Sequence, residues 1–341
     1  MKTNFLSVLL LLITFFGFSQ QKVALESNGT TTVFGGSNPF LDAYNAATDG
    51  DIIYLPGATM TGFAIDKGVT IIGAGHYPNA TLATNPTVIN GNITINENAD
   101  GLHLEGIQFT GSITFGNNAQ VDDVTIKRCK VVSINYAGNA TPVTPCLNNL
   151  IAETIITGDL TMTNLTSSMI SNNIIQGKLI NGSNNGITNN ILMYSGSSSY
   201  TNHYVFNNQD NCFISNNIVF RPYVSEVHAG CEMSTFSNNI FAVAPLAGSN
   251  TFVNNYFSVP IAGLFVNQSG ATFDYTHDYQ LASSGIYLGT DGNDVGIYGG
   301  VFSYKTESIP HNPHIVSKSV ATQTNVAGEL PVQITVEAQN N

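Results

Sequence analysis

Charge is the scarcest property of this chain. Asp, Glu, Lys and Arg make up only 9% of its 341 residues, against roughly 25% in an average soluble domain. Its polarity rests instead on the amides and hydroxyls of Asn, Ser and Thr. The 22 acidic residues outnumber the 10 basic ones, and removal of a leader containing Lys2 brings the net charge to about −13. A chain so acidic and so poor in cations excludes nucleic acid and anionic membrane as partners. Long apolar runs are scarce as well. One, "FLSVLLLLITFFGF" from Phe5 to Phe18, follows Met1-Lys2 and ends in small residues before Gln20. A charged start, an apolar centre and a small-residue cleavage site form a secretory leader, placing it at 1–19. The run falls short of the roughly 18 or more apolar residues that span a bilayer, and no other segment comes closer. The mature product is expected to be soluble and extracellular, with no membrane span.

Cysteine is sparse, with four residues, Cys129, Cys146, Cys212 and Cys231. An exported chain permits disulfides among them, and four cysteines allow three pairings that spacing does not choose between. Isolated buried thiols fit equally well, because about 320 residues bury an ample core without staples. No CxxC and no His-rich cluster points to zinc. His311 and His314 are two potential ligands without a third nearby, so they read as a turn between prolines.

What the chain has in excess is one phrase. "SMISNNIIQGKLINGSNNGITNNILMY" carries it twice, and "FISNNIVF", "TFSNNIF" and "TFVNNYF" repeat it. Aligned on the first Asn of each pair, the copies fall at Asn172, Asn189, Asn216, Asn238 and Asn254. Weaker upstream copies place Glu105, Arg128 and Glu153 at the same mark. The mean step is about 21 residues, in the range of solenoid repeats. Ile, Val, Phe and Thr alternate with polar residues before the pair, which suits strands, and Gly and Asn punctuate the gaps as turn residues do. Strands stacked about 4.8 Å apart describe an all-β parallel β-helix. At a sharp bend Asn tolerates the left-handed backbone, and its amide both donates and accepts. The pair therefore marks a corner of each coil, where amides stack into a ladder.

The stretch "FLDAYNAATDGDIIYLPGATMTGFAIDKGVTIIGAG", followed by "TVINGNITI" and "ADGLHLEGIQFTG", resembles the opening of right-handed parallel β-helix proteins of the pectate-lyase-like superfamily. The resemblance runs from about Thr31 to Val301. It implies a short helix over the open end of the solenoid, capped by Asn38, with Pro39 at its first position and Phe40, Leu41 and Tyr44 facing the core. The later "GTDGNDVGIYGG" resembles the run that closes the last coil in such proteins. The domain plan is then a leader at 1–19, a β-helix with its cap at 20–303, and a C-terminal tail at 304–341 with one or two strands. Such an edge-capped solenoid is expected to be monomeric, although its exposed final strand remains open to pairing.

For function the superfamily resemblance leaves two classes. A regular, weakly charged surface of Asn, Thr, Ser and Tyr suits binding of an extracellular polysaccharide or cell-surface glycan, or a structural and adhesive role. The alternative is a polysaccharide lyase acting on an acidic polymer, which needs an Arg or Lys base and a cation such as Ca²⁺ held by acidic residues. Beyond the leader only Arg128 and Arg221 supply arginine. Arg221 lies in "FRPYVSEVHAGCEM", where Arg221 is placed to meet an acidic sugar, Tyr223 to stack on a ring, and Glu226, His228 and Glu232 to act as acid, base or ion ligands. Hydrolysis is disfavoured: Asp122 and Asp123 are strand neighbours on opposite faces, and the phrases of polygalacturonases and pectin methylesterases are missing.

Overall fold

The computed structural model describes residues 21–139, 141–194, 204–220, 230–245 and 247–338. One coil shows how the sequence builds the rest. Met169–Ser171 forms a strand, Asn172-Asn173 turns it, Ile174–Ile175 forms a second strand, and Leu179–Ser183 a third. Asn184-Asn185 then returns the chain to Gly186–Thr188, one coil further on. Each strand pairs in parallel with its successor, Ile170 with Ile187, Ile174 with Ile191 and Leu179 with Phe206. Repetition stacks three sheets of 12, 9 and 7 strands, called here the first, second and third. The fold is a parallel β-helix, nearly all β as the repeat implies. No helix among the described residues is long and apolar enough to cross a membrane.

Side chains alternate across a strand, so the middle residue of each three-residue strand in the first sheet points inward. Ile71, Leu104, Ile126, Ile151, Ile170, Ile187, Ile214 and Phe236 form this column, fully buried. Each contributes roughly 1.5–3 kcal/mol of burial. Aromatic rings stack on one another in the same way, Phe115 on Tyr136 with centroids 3.8 Å apart and Phe236 on Phe252 at 4.8 Å.

From Ile155–Ile156 onward the second sheet is apolar on both faces. In Ile174-Ile175, Ile191-Leu192, Ile218-Val219 and Ile240-Phe241 both residues of the strand are buried. One of each pair fills the lumen, while Ile174, Ile191, Ile218 and Ile240 face a second core built by Val259, Leu264, Phe265, Tyr279, Val295, Ile297 and Tyr304. The C-terminal quarter of the chain is thus folded over this sheet.

The two residues of each Asn pair divide the work at the first corner. The first adopts the left-handed backbone, φ between +51° and +59° at Asn172, Asn189, Asn216, Asn238 and Asn254. The second points inward and makes the ladder: Asn173, Asn190, Asn217 and Asn239 each donate Nδ2 to the Oδ1 of the next, at 2.9–3.0 Å, ending on Asn255. The same Nδ2 groups reach back to carbonyls of the preceding coil, Asn190 to Ile170 and Asn217 to Ile187. Upstream, Arg128 and Glu153 hold the left-handed place. Glu105 does not. It pairs with Lys127, so the corner of its coil is Gly106, at φ +68°, and the repeat mark shifts by one residue.

A second ladder, unread in the sequence, runs at the corner preceding the first sheet. Asp123, Asn148, Ser167, Asn184, Asn211 and Met233 are left-handed there. The residue after each points inward, and side-chain oxygens of Ser168, Asn185, Ser234 and Asn250 accept backbone N–H groups of Asn149, Ser168, Cys212 and Ser234.

At the N-terminal end, helix α1 (Pro39–Ala46) covers the lumen with Phe40, Ala43 and Tyr44. Phe40 lies 4.6 Å from Phe63 between ring centroids. Pro39 opens the helix as expected, but the Asn38 side chain makes no capping bond, and Leu41 is 37% exposed rather than turned to the core. The last carbonyls are satisfied instead by Lys67, whose Nζ donates to Tyr44 and Ala47. All four cysteines are free and buried; burial pushes the Cys129 thiol up to about 12 and that of Cys212 to about 11, which keeps them unreactive in the folded chain.

Asn217→Ala removes the acceptor of the buried Asn190 N–H and Nδ2, and with it the amide that donates to the carbonyls of Ile187 and Ser215. Urea unfolding is expected to register a loss of about 3 kcal/mol. Asn254→Ala, at an exposed left-handed position, should lose only about 1 kcal/mol. Equal losses would contradict the division of work between the two asparagines.

Candidate functional site

The left-handed residues turn their side chains outward, and the chain itself comes back to meet them. Residues 286–313 run along this corner from the last coils towards the first. Asn238 donates Nδ2 to Leu288 O at 2.9 Å, and Asn216 donates to Thr290 Oγ1 and accepts its N–H. Asn172 donates to the carbonyls of Ile297 and Gly299 at 2.7 and 2.6 Å. Further up, Glu153 accepts the Lys305 N–H, and Arg128 donates to His311 Nε2 at 2.7 Å. At Gly106 a side chain would collide with Pro310 Cγ, so glycine is needed there for close approach as well as for its φ. This segment is a strap. "GTDGNDVGIYGG", expected to close the last coil, is part of it.

Where the strap crosses the early coils, Lys127, Arg128 and Lys305 gather around two buried carboxylates. Arg128, 3% exposed, donates Nη1 to Glu105 at 2.7 Å and a fork of Nε and Nη2 to Glu153 at 2.9 and 3.1 Å. Lys127 adds a contact to Glu153 at 3.2 Å, and His103 one to Glu105 at 2.9 Å. Burial alone raises the Glu105 carboxyl, but the hydrogen bond from His103 and the charge of Arg128 outweigh it and hold it at about 2. Burial and then the Arg128 charge push His311 below the usual histidine range, consistent with an imidazole that accepts from a guanidinium. With every arm of Arg128 engaged, it holds the strap and is not free to act as a base.

Beneath the strap lies His76, fully buried, with Nδ1 3.3 Å from the Tyr275 hydroxyl. Burial, then the charge of Lys130, lowers it to about 3. Lys130 sits 4.5 Å over the Tyr275 ring, and the hydroxyls of Tyr77 and Tyr304 meet at 2.8 Å.

Between the strap and the outer face of the first sheet is a cleft of about 220 Å³. Its floor takes Ser171, Thr188 and Ser215 from successive coils, in register. Ser171 Oγ lies 3.1 Å from Thr188 Oγ1. Its rim is apolar: Phe213 is 48% exposed, and Met169, 38% exposed, lies across Gly186, where a Cβ would come 3.0 Å from its sulfur. The strap closes the far side with Thr290, Asp291, Val301 and Phe302. Burial raises the Asp291 carboxyl, but bonds from Asn293 and Gly300 outweigh it and keep it ionised. The cleft offers the partly exposed Thr188 hydroxyl, with Ser171 and Ser215 buried on either side of it, one fixed carboxylate and two apolar surfaces. A larger cavity of about 720 Å³ beside α1 is lined by Gln21, Phe40, Leu41 and residues 59–63 and carries no titratable side chain.

Of the residues singled out in the sequence, Arg221, Tyr223, Glu226 and His228 lie outside the described residues. Glu232 is exposed at the second corner beside Asp210 of the neighbouring coil, whose Oδ1 accepts its N–H at 3.2 Å. The strand Thr235–Ser237 separates it from the strap. Among the described residues no three His, Cys, Asp or Glu side chains group as metal ligands. Comparison with protein-family profiles, with curated proteins and with solved structures finds no match.

Two outcomes test the strap. Arg128→Ala takes the guanidinium from two buried carboxylates, leaving Glu105 only His103 and Glu153 only Lys127 as ion partners, at a cost of about 3 kcal/mol, and limited trypsin digestion of the folded variant should cut after Lys305 faster than in the parent chain. The second outcome is acid lability. A histidine neutral in the fold at a pKa below its unfolded value, about 6.5, stabilises fully above that pH and loses its contribution as pH falls. His76 alone then gives a slope approaching 1.4 kcal/mol per pH unit, about one proton. Depressed carboxylates such as Glu105 act only further down, between about pH 4.5 and 2. Urea midpoints should fall between pH 6.5 and 5, and His76→Gln should flatten that fall.

Proposed function

We propose that this is a secreted, glycan-binding protein of the extracellular surface, with an adhesive or structural role, and that the cleft beside the strap holds the glycan. The observation that carries the reading is the column of Ser171, Thr188 and Ser215, one per coil, in which Thr188 is the partly exposed member, flanked by exposed Met169 and Phe213. An extended polysaccharide repeats its own hydroxyls along a line, and stacked coils offer partners at a repeat of about 4.8 Å. Apolar and aromatic side chains with a few placed polar groups are what a ligand cleft requires, and sugar ring faces lie flat on such surfaces. The outer face of the third sheet also carries a polar column, Thr94, Thr114, Asn135 and Thr161, but the cleft adds the apolar rim and the wall that orient a ligand. The leader at 1–19 and the low charge support export, and the resemblance of the N-terminal coils to the pectate-lyase-like superfamily supports polysaccharide as the partner class.

Affinity electrophoresis of the mature chain through gels loaded with acidic or neutral polysaccharides tests the reading. Retention by at least one glycan is expected, weakened about tenfold in Phe213→Ala, the equivalent of 1.4 kcal/mol. Retention unchanged by Phe213→Ala would move the site elsewhere. Release of unsaturated products, read by ultraviolet absorbance with and without Ca²⁺, would replace the binding reading with the lyase.

A further inference from the structure

The last two strands carry an interface that the glycan reading does not use. His314–Val320 and Val332–Glu337 form an antiparallel hairpin, with Val320 opposite Val332, Lys318 opposite Ile334 and Ile315 opposite Val336. Alternation puts Val332, Ile334 and Val336 on one face, all about half exposed. Every residue of Val332–Glu337 is exposed. A two-stranded hairpin with a bare apolar face is marginal in water, and three or more strands are needed for independent stability.

The two edges of this hairpin differ. The first strand carries the usual protections against edge pairing, a register irregularity between Ile315 and Ser317 and a lysine, Lys318. The second has neither. Pro331 precedes it, no Lys or Arg lies within it, and Glu337 at its end is its only charge. An unprotected, β-branched edge is a template for another strand. Its sequence also selects the partner. "VQITV" from Val332 to Val336 reads the same in chemistry from either end about Ile334, so two copies running antiparallel match without mismatch.

We propose that the Val332–Glu337 edge pairs with the same edge of a second copy of this chain, about a two-fold axis at Ile334. Ile334 then faces Ile334, Val332 faces Val336, and Gln333 faces Thr335. Glu337 faces Pro331, so the like charges lie at opposite ends of the pair and are never opposed. The two hairpins become one four-stranded antiparallel sheet with a continuous apolar stripe, which meets the strand count that each hairpin fails alone. Pairs of β-branched residues directly opposite one another add to such a sheet.

Sedimentation velocity of the mature chain across a dilution series tests this, with glycan absent so that the result is independent of the binding reading. A monomer–dimer equilibrium is expected, weakened at least about tenfold by Ile334→Lys, which sets two lysines face to face at a cost of 1.4 kcal/mol or more. Residues directly opposite in an antiparallel pair have Cα atoms about 4.5–5.5 Å apart, within disulfide reach. Ile334→Cys should therefore crosslink under mild oxidation, and Val320→Cys, on the inner strand, should not. A chain that stays monomeric at all concentrations overturns the proposal. So does crosslinking through position 320 as fast as through 334, which would place the contact on the face of the hairpin instead of its edge.

Discussion

A side-chain amide pointing into the solenoid at each turn is the interaction on which the rest depends. A chain that turns sharply between two strands carries backbone N–H and C=O groups into the interior, where water cannot reach them. Asn meets this demand with one group. In the Asn173–Asn255 column each Oδ1 accepts the N–H of the coil before, and most Nδ2 groups satisfy a carbonyl one coil back. Pointing that amide inward requires the preceding residue to take the left-handed backbone, which turns its side chain to solvent. The outward column that receives the strap follows from the geometry of the inward one.

The strap reads that column by two chemistries. Along the later coils, asparagine amides bond strap carbonyls, a contact that nearly any backbone offers. Along the early coils Arg128 and Glu153 replace them, although a non-glycine residue in the left-handed region costs about 1–2 kcal/mol and burying charges costs more. A buried ion network is weak as a source of stability, but it discriminates register, because a shift by one coil leaves charges unpaired. In a chain with 9% charged residues, Lys127, Arg128, Glu105 and Glu153 on adjacent coils fix where Lys305 and His311 land. The asparagine contacts then fill in behind them.

The solenoid is legible in the sequence because corners favour a few residue types: a left-handed place most often takes Asn or Gly, and an inward polar place takes Asn, Ser or Thr. The upstream mark at Glu105 fails for the same reason, since Gly106 meets the demand without a side chain. The second ladder escapes notice because Asn149, Ser168, Asn185, Cys212 and Ser234 share no letter, only size and a polar atom. The covered second sheet has a clear signal that the alternation before each pair conceals: the doublets "II", "IL", "IV" and "IF" after it bury both faces, while Gln108 and Lys130 upstream face outward. The strap is not legible. Its contacts with the corner column join positions 50 or more residues apart, mostly through backbone carbonyls that no side chain announces. The cleft is half legible: Ser and Thr columns are visible in the repeat, but the wall that makes them a cleft belongs to the strap.

These layers decide which surface is left to meet a ligand. The lumen is filled, the second sheet is covered by its own C-terminal quarter, and the first corner is occupied by the strap. The outer faces of the first and third sheets remain, and the character of the first changes along the axis. His103 and Lys127 lie at the early coils, tied to Glu105 and Glu153; Met169, Phe213 and the hydroxyl row lie further on, where the outward corner residues have become neutral asparagines. The ion network that sets the register of the strap therefore also confines charge to one end of the open face. On the proposed function, the weakly charged stretch that remains beside the strap is where sugar hydroxyls would meet fixed partners without first displacing the tightly held water of an ion.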